Sequence, residues 1–390
     1  MKIVIAPDSF KESLSALEVA ESIERGFKQV ISDAQYVKVP MADGGEGTVQ
    51  SLVDATGGEI ISKSVTGPLG KPVDAFFGIL GNQTTAVIEM AAASGLHHVP
   101  VGERNPLVTT TIGTGELIAA ALDYGVNHLI IGIGGSATND GGAGMAKALG
   151  ARLLDKDGIE IGEGGDALGR LASIDLSNLD PRLAHVKIEV ACDVDNPLTG
   201  EKGASAIFGP QKGATPEMVA QLDQNLSHYA SIIERDLGKK INDIPGAGAA
   251  GGLGGGILAF FPSELKRGVE IVVEATGLSE ITANADLVIT GEGKIDSQTI
   301  YGKTPIGVAK TAKKYGIPVI GIAGNVSNDS HVVYEHGIDA IFSIVPGVVS
   351  LEDAFKHAAE NVERTAVNIA TIWKMKRGDG SRVAFVNLKQ

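Results

Sequence analysis

Apolar and polar residues alternate at the start of this chain in a way that predicts strands followed by helices. Residues 2–6 form a near-continuous apolar run, which is typical of a strand in a parallel sheet covered on both faces. Ser15 and Glu18 then have the spacing of a helix capping box, and apolar residues recur every three or four positions up to residue 31. Residues 36–39 are predicted to form the next strand.

The last hundred residues repeat this alternation. Further strands are predicted at 286–289, 318–322 and 340–345, and further helices at 305–315 and 351–372. Strands that alternate with helices indicate a parallel doubly wound sheet of the flavodoxin or Rossmann type. We therefore predict a discontinuous α/β domain made of residues 1–65 and 283–376, followed by a tail at 377–390.

The middle of the chain has a different pattern. Residues 60–90 contain short apolar runs separated by turn signals, which favours hairpins in a mixed sheet. A long helix is predicted at 216–237, with Thr215 as its N-cap and Gly238 as its terminator. The predicted fold class is α/β with two domains, in which a second, mixed-sheet α/β domain (66–282) is inserted into the first.

The composition excludes several classes of function. The chain carries 33 Lys and Arg against 47 Asp and Glu, a formal net charge of −14, which disfavours a nucleic-acid partner. The single cysteine, Cys192, rules out an intramolecular disulfide and a thiolate-rich metal site. No apolar run approaches the roughly 18 residues of a membrane span, and the start of the chain lacks a signal-peptide pattern. We therefore expect a cytoplasmic protein without a membrane partner, and a homodimer remains open.

Candidate chemistry lies in five polar clusters, each of which follows a predicted strand. Ligands of open α/β sheets bind at the carboxyl ends of strands, so this position favours function over a simple turn. The first two clusters combine carboxylates with a hydroxyl, a cation and glycines that let a ligand approach the backbone. Their candidate residues are Asp8, Ser9 and Lys11 after the first strand, and Asp43, Gly44 and Glu46 after the second.

The third cluster is a glycine loop between a predicted strand and a predicted helix, an arrangement that presents backbone N–H groups to phosphate. Its spacing also matches a dinucleotide fingerprint, with Asp155 as the ribose-binding acid, although a lone match of this kind is weak. Asp140 makes more sense facing a metal ion or a substrate hydroxyl. The other candidate residues of this loop are Gly134, Gly135, Ser136, Thr138 and Asn139.

The fourth cluster contains Asp193 and Asp195. Asp193 is interpreted as a general base or a Mg²⁺ ligand, and Asp195 as a second ligand, because Mg²⁺ prefers carboxylate oxygens and bridges phosphates. An Asx turn before Pro197 is the structural alternative for Asp195.

The fifth cluster contains Gly291, Glu292, Gly293, Lys294 and Asp296. A Gly-Lys-Thr triplet follows at 302–304, but Ser297 stands where a P-loop needs glycine, so this is not a P-loop, and a different kind of phosphate site remains open. A glycine run at 246–256 is compatible with a lid, a phosphate cradle or a glycine-lined helix contact.

Six segments together resemble one family, the bacterial glycerate kinases of the first type. They are IAPDSFKESLSA (5–16), ADGGEGT (42–48), TGPLG (66–70), GIGGSATNDGG (132–142), CDVDNPL (192–198) and TGEGKIDSQTIYGK (290–303). The resemblance implies a Mg²⁺-dependent transfer of a phosphoryl group from ATP to D-glycerate, with 2-phosphoglycerate as the expected product. It also implies a two-domain α/β fold.

For that reaction we expect the clusters to meet in a cleft between the domains. The expected roles are catalysis for Asp193, Lys11 and Asp296; glycerate binding for Asp8, Ser9, Asp43, Gly44, Glu46 and Asn139; ATP binding for Gly134, Gly135, Ser136, Thr138, Gly291, Glu292, Gly293 and Lys294; and Mg²⁺ binding for Asp193 and Asp195. Two alternatives remain open, namely an NAD(P)-dependent oxidoreductase of a small hydroxy acid and a non-catalytic organic-acid-binding protein.

Overall fold

The computed structural model describes residues 1–376, and the tail predicted at 377–390 lies outside them. Its strands are β1 (Lys2–Ile5), β2 (Gln35–Lys38), β3 (Glu59–Thr66), β4 (Pro72–Ile79), β5 (Thr85–Glu89), β6 (His128–Gly132), β7 (Arg152–Leu154), β8 (Ser173–Asp175), β9 (Lys187–Ala191), β10 (Ser263–Lys266), β11 (Leu287–Ile295), β12 (Val319–Val326) and β13 (Ala340–Ser343). Its helices are α1 (Ala16–Lys28), α2 (Thr48–Thr56), α3 (Ala91–Ser94), α4 (Ile112–Asp123), α5 (Ala143–Ala148), α6 (Ala204–Phe208), α7 (Pro216–Leu237), α8 (Ala249–Phe260), α9 (Gly268–Ala275), α10 (Leu278–Thr282), α11 (Thr304–Lys313), α12 (Leu351–Lys356) and α13 (Ala358–Lys376).

The chain divides into two compact units. Among the described residues, unit 1 comprises Met1–Asp43 and 272–376, and unit 2 comprises Gly44–Ile271. The α/β class with an inserted mixed-sheet domain is confirmed, but the boundaries differ from the predicted 65/66 and 282/283. Residues 44–65 belong to the inserted unit because β3 pairs with β4 along its whole length and α2 packs against β4 and β5.

Unit 1 is built on a parallel sheet with the strand order β13-β12-β11-β1-β2. Its core lies between this sheet and the pair of helices α1 and α13, which cover the buried side chains of β1. The predicted capping box is confirmed, since the N–H of Glu18 donates to Ser15 Oγ and the N–H of Ser15 donates to Glu18 Oε2. The single helix predicted at 351–372 is wrong, because His357 leaves helical geometry (φ −105°, ψ 18°) and separates α12 from α13.

Unit 2 is built on a mixed sheet with the strand order β10-β9-β6-β5-β4-β3. The first four of these strands are parallel, while β4 runs antiparallel to both β3 and β5. Thr215 caps α7 and Gly238 ends it in the left-handed region, as predicted. The strands β7 and β8 pair only with each other, in a separate antiparallel ribbon.

The glycine run at 246–256 is a buried support for the loop that follows β6. Ala250, Gly251 and Gly252 have φ values of 55°, 68° and 89°, so the backbone turns sharply within α8. A Cβ on Gly251 would lie 2.0 Å from the carbonyl oxygen of Thr138, and one on Gly256 would lie 2.2 Å from that of Gly141. Of the three alternatives for this run, the structure shows the glycine-lined helix contact.

Because of this contact, we expect Gly251→Ala to lose more stability than the strain of an alanine in a left-handed backbone conformation alone would cause. Gly57 is the matched control, because it has φ +69° but no atom within 4 Å of an added Cβ. We expect Gly57→Ala to lower the free energy of unfolding by about 1–2 kcal/mol, and Gly251→Ala to lower it by about 3 kcal/mol or more, because crowding is added to strain. Thermal and urea unfolding of both variants measure this, and equal losses would contradict the crowding argument.

Candidate functional site

A cleft of about 710 Å³ lies in unit 1 at the carboxyl ends of the parallel strands. The loop after β1 forms one side of the cleft, and the end of β11 forms its floor. The two are joined directly, since the N–H of Asp8 donates to the carbonyl oxygen of Gly291 over 2.8 Å. The structure therefore brings the first and fifth predicted clusters together. The predicted residues that line this cleft are Asp8, Ser9, Lys11, Asp43, Glu292, Gly293 and Lys294.

Asp8 is the most perturbed acid of this cleft. Its side chain is buried, and it accepts hydrogen bonds from Thr304 Oγ1 (2.7 Å, at Oδ2) and from the N–H of Ser9 (2.7 Å, at Oδ1). Burial raises the pKa of Asp8 to about 7, and the negative charges of Asp43 and Glu292 act in the same direction. A carboxyl group with such a pKa exchanges a proton near neutral pH.

The second acid of the cleft, Glu292, is buried and is held by two partners. Thr299 Oγ1 donates to its Oε1 over 2.6 Å, and Lys303 Nζ lies 3.3 Å from its Oε2. Burial raises the pKa of Glu292, although both contacts favour the charged form. Lys303 and Thr304 were not among the predicted site residues, although their Gly-Lys-Thr triplet was the available signal.

The lysines of the cleft differ in their pairing. Lys294 forms an ion pair with Asp296, whose Oδ2 lies 2.8 Å from Nζ, and this contact lowers the pKa of Asp296. Asp296 does not line the cleft; its Oδ1 accepts a hydrogen bond from the N–H of Gln298, so it holds the turn after β11. Lys11 is exposed, and within residues 1–376 its ammonium group makes no ion pair, so it is available to an anionic ligand.

The glycine loop after β6 lies in unit 2, beside the second and fourth clusters. The Cα of Gly45 is 3.7 Å from an ideal Cβ on Gly134, and a Cβ on Gly44 would lie 2.7 Å from that of Ala191, at the end of β9. Gly44 is buried by this packing, while Glu46 is exposed. Close approach at this edge of the sheet therefore requires glycine at position 44.

Only the first part of this loop is accessible. Gly134 and Gly135 are exposed and Ser136 is 7% exposed, whereas Thr138 and Asn139 have no exposed surface. The side-chain amide nitrogen of Asn139, Nδ2, donates to Ser205 Oγ over 3.0 Å. Contact between a ligand and the side chains of Thr138 or Asn139 would require the loop to move, so their binding roles stay predictions.

Asp140 does not face a ligand, so the expectation that it meets a metal ion or a substrate hydroxyl is wrong. It is 1% exposed, and its oxygens accept hydrogen bonds from both the N–H and Oγ1 of Thr111, and from the N–H groups of Gly142 and Gly144. Burial raises the pKa of Asp140, although these bonds act against the increase. The role of Asp140 is to hold the turn that begins α5.

Lys212 is the main residue that sequence reasoning missed. It is 1% exposed, and its Nζ donates to Ser136 Oγ over 2.7 Å and to the carbonyl oxygen of Thr138 over 2.6 Å. Burial lowers the pKa of Lys212 to about 7, while the negative charge of Asp140 acts in the opposite direction. Nothing in the surrounding Gly-Pro-Gln-Lys-Gly segment distinguishes this lysine from a surface lysine.

Asp193 and Asp195 are both exposed in the segment after β9. The N–H of Gly268 donates to Asp193 Oδ1 over 3.2 Å, which fixes this carboxylate near the start of α9. Within residues 1–376, no group of three or more His, Cys, Asp or Glu side chains could hold a metal ion by itself. The roles of these two residues stay predictions.

The dinucleotide interpretation of the glycine loop lacks its structural context. Asp155 follows β7, which belongs to the separate ribbon and does not neighbour β6. Asp155 Oδ1 also accepts hydrogen bonds from the N–H groups of Asp157 and Ile159. A ribose-binding acid would instead follow the next strand of the same parallel sheet.

Comparison with known proteins gives matches over almost the whole chain. The family model described as "Glycerate kinase family" matches residues 3–374. A glycerate kinase of Bacillus subtilis is 69% identical over 377 residues (97% of this chain, 99% of the relative), and a glycerate 2-kinase of Escherichia coli is 60% identical over 370 residues (95% and 97%). A solved structure from Salmonella typhimurium LT2, described provisionally as glycerate kinase 2, superposes with a TM-score of 0.91 at 60% identity, covering 97% of this chain and 99% of that one. None of the helices within residues 1–376 has the length and apolar character to cross a membrane.

The burial of Lys212 predicts a pH-dependent stability. The pKa of Lys212 in the folded chain is about 7, below the ordinary lysine value of roughly 10.4. Between these two pH values the unfolded chain holds the proton of Lys212 more tightly than the folded chain does. The contribution of Lys212 to stability therefore rises with pH. We therefore expect the free energy of unfolding of the wild-type chain to rise relative to Lys212→Met between pH 7 and about pH 10. Urea unfolding at several pH values measures the difference.

Lys239→Met is the matched control, because Lys239 is an exposed lysine just beyond α7. Its difference from the wild-type chain should be constant over the same pH range. A constant difference for Lys212→Met as well would contradict the burial of its charge.

Proposed function

This chain belongs to the glycerate kinase family, and we propose that it transfers the γ-phosphoryl group of ATP to the 2-hydroxyl of D-glycerate, giving 2-phosphoglycerate and ADP. The match of the family model to residues 3–374 carries this proposal. Relatives named glycerate kinase or glycerate 2-kinase that are 60–69% identical over nearly their whole lengths support it. The chain is thus an enzyme, a kinase of glycerate.

Phosphoryl transfer depends on positioning and on the neutralisation of charge. The cleft of unit 1 offers both, since Lys11 makes no ion pair within the described residues and Lys303 stands at the start of α11, where backbone N–H groups favour an anion. In unit 2 the exposed backbone of Gly134 and Gly135 has the conformational freedom to cradle a phosphate, with Gly135 at φ +75°. The phosphate-binding roles proposed for these residues agree with their exposure.

We propose Asp8 as the group that takes the proton of the attacking hydroxyl. A general base works best when its pKa is near the operating pH, and that of Asp8 is about 7. The hydrogen bonds from Thr304 and Ser9 fix both of its oxygens. Ser9 and Asp43, which line the same cleft, are proposed to bind the hydroxyl groups of glycerate.

We assign Asp193 and Asp195 to Mg²⁺. Both carboxylates are exposed, and Mg²⁺ is commonly held by one or two carboxylates together with substrate phosphates, so the donor set fits. When bound, Mg²⁺ would neutralise phosphate charge.

Release of ADP tests the proposed reaction. With ATP, Mg²⁺ and D-glycerate, we expect ADP release that depends on glycerate, together with 2-phosphoglycerate detected by an enolase-coupled assay. Omitting glycerate is the control. ADP release equal to this control would contradict the kinase function and leave an organic-acid-binding protein, whereas 3-phosphoglycerate as the product would contradict only the choice of hydroxyl.

The proposed roles of Asp8 and Asp193 are distinguished by how the activity of their variants responds to pH and to Mg²⁺. We expect kcat of the wild-type chain to rise with pH through about 7, as Asp8 loses its proton, and Asp8→Asn to lower kcat by about 10²–10⁴-fold and remove that rise. Asp193→Asn should instead need a higher Mg²⁺ concentration and recover activity when it is supplied.

Asp33→Asn is the matched control, since Asp33 is exposed in the turn before β2, outside the cleft. It should keep wild-type kinetics. Two results together would assign the base role to Asp193 instead. The Asp193→Asn variant would stay inactive at every Mg²⁺ concentration, and the Asp8→Asn variant would retain the pH profile.

A further inference from the structure

The cleft of unit 1 has two ends of different chemistry. One end carries the carboxyl groups of Asp8 and Glu292 and the ammonium group of Lys303. The other is formed by the segment after β13 and the start of α12, and its side chains are apolar apart from Ser350, the N-cap of α12. We call this end the apolar wall; it consists of Ile344, Val345, Val349, Leu351 and Phe355.

The outer part of the apolar wall is exposed to solvent. Leu351 is 69% exposed and Val349 is 43% exposed, and the neighbouring Val348 is fully exposed. Covering adjacent apolar side chains with a ligand removes them from water and lowers the free energy. An apolar patch at the edge of a cleft therefore marks a binding surface. The patch follows β13, at the edge of the parallel sheet where ligands bind.

The chemistry of the two substrates decides which of them this surface fits. This step rests on the proposed function. Each carbon of glycerate carries an oxygen and the triphosphate is anionic, so neither has an apolar face to place against Val349 or Leu351. The adenine ring of ATP is flat and has apolar faces, and it is joined to the anionic group that the lysines of the polar end would attract.

We infer that the apolar wall is the adenine subsite of this enzyme, with the triphosphate directed to the polar end near Lys303 and Lys11. The volume of the cleft, about 710 Å³, is within the range of roughly 300–1,000 Å³ that is usual for small-molecule sites. The assignment gives a role to Val349, Leu351 and Phe355, which the proposed chemistry does not otherwise use.

The test compares ATP with its two parts. In the variant Val349→Ser/Leu351→Ser we expect the Kd for ATP, measured by calorimetry, to rise about tenfold or more, and the inhibition constant of adenosine to rise in parallel. The inhibition constant of inorganic tripolyphosphate and the KM for glycerate should stay within about twofold. Both side chains are largely on the surface, so the thermal midpoint should not change.

Ile372→Ser is the matched control, because Ile372 is 58% exposed on α13 and does not line the cleft. It should leave all of these constants unchanged. An unchanged Kd for ATP in the double variant, a rise in the glycerate KM alone, or a wild-type chain that does not bind ATP would each overturn the adenine assignment. A wild-type chain that binds ATP but releases no ADP with glycerate would instead overturn the proposed function, and the calorimetric comparison would still decide the assignment.

Discussion

The parallel pairing of β1 with β11 is the constraint on which the cleft of unit 1 depends. It places Ile3 opposite Leu287 and Ile5 opposite Ile289, residues separated by 284 positions in the chain. The pairing continues past the strand, where the N–H of Asp8 donates to the carbonyl oxygen of Gly291. Asp8 and Glu292 face one cleft because these two strands share a register, and a slip of one residue would send one of them to the opposite face of the sheet.

Removal of charged groups from water is the second organising effect, and it acts differently in the two units. In unit 1, Asp8 and Glu292 are buried but line an accessible cleft, and burial raises the pKa of both. In unit 2, Lys212 is buried against the glycine loop and donates to Ser136 and Thr138 of that loop, while the buried Asp140 accepts hydrogen bonds from Thr111, Gly142 and Gly144. Burial therefore shifts the pKa of accessible acids in one unit, and in the other it shifts the pKa of groups whose hydrogen bonds hold the backbone.

Local signals in the sequence predicted local structure well. The capping box at Ser15 and the limits of α7 at Thr215 and Gly238 are set by residues within one turn of each helix end, so the sequence contains the whole explanation. The polar clusters were found because parallel strands bring their carboxyl ends to one edge. The sequence could not predict which residues contact each other when they lie far apart along the chain.

Lys212 shows this limit. Its contacts, Ser136 and Thr138, lie more than 70 residues away, and no neighbouring residue marks it as buried. The boundary of the inserted unit was missed for the same reason, because β3 follows the first domain in sequence but pairs with β4. The contact of Gly251 with Thr138 likewise depends on a fold that no local pattern records.

The way unit 2 is inserted also sets the order in which the chain can fold during synthesis. Unit 2 is one uninterrupted stretch of 44–271, so all of its strands leave the ribosome before β11 exists. The strand β1 precedes unit 2 in the chain and has only β2 as a sheet partner until residue 287 emerges. At roughly 5–20 residues per second, the apolar residues of β1 therefore wait for many seconds without their central neighbour. Residues 2–5 are thus an apolar segment whose pairing with β11 must follow the synthesis of the whole of unit 2.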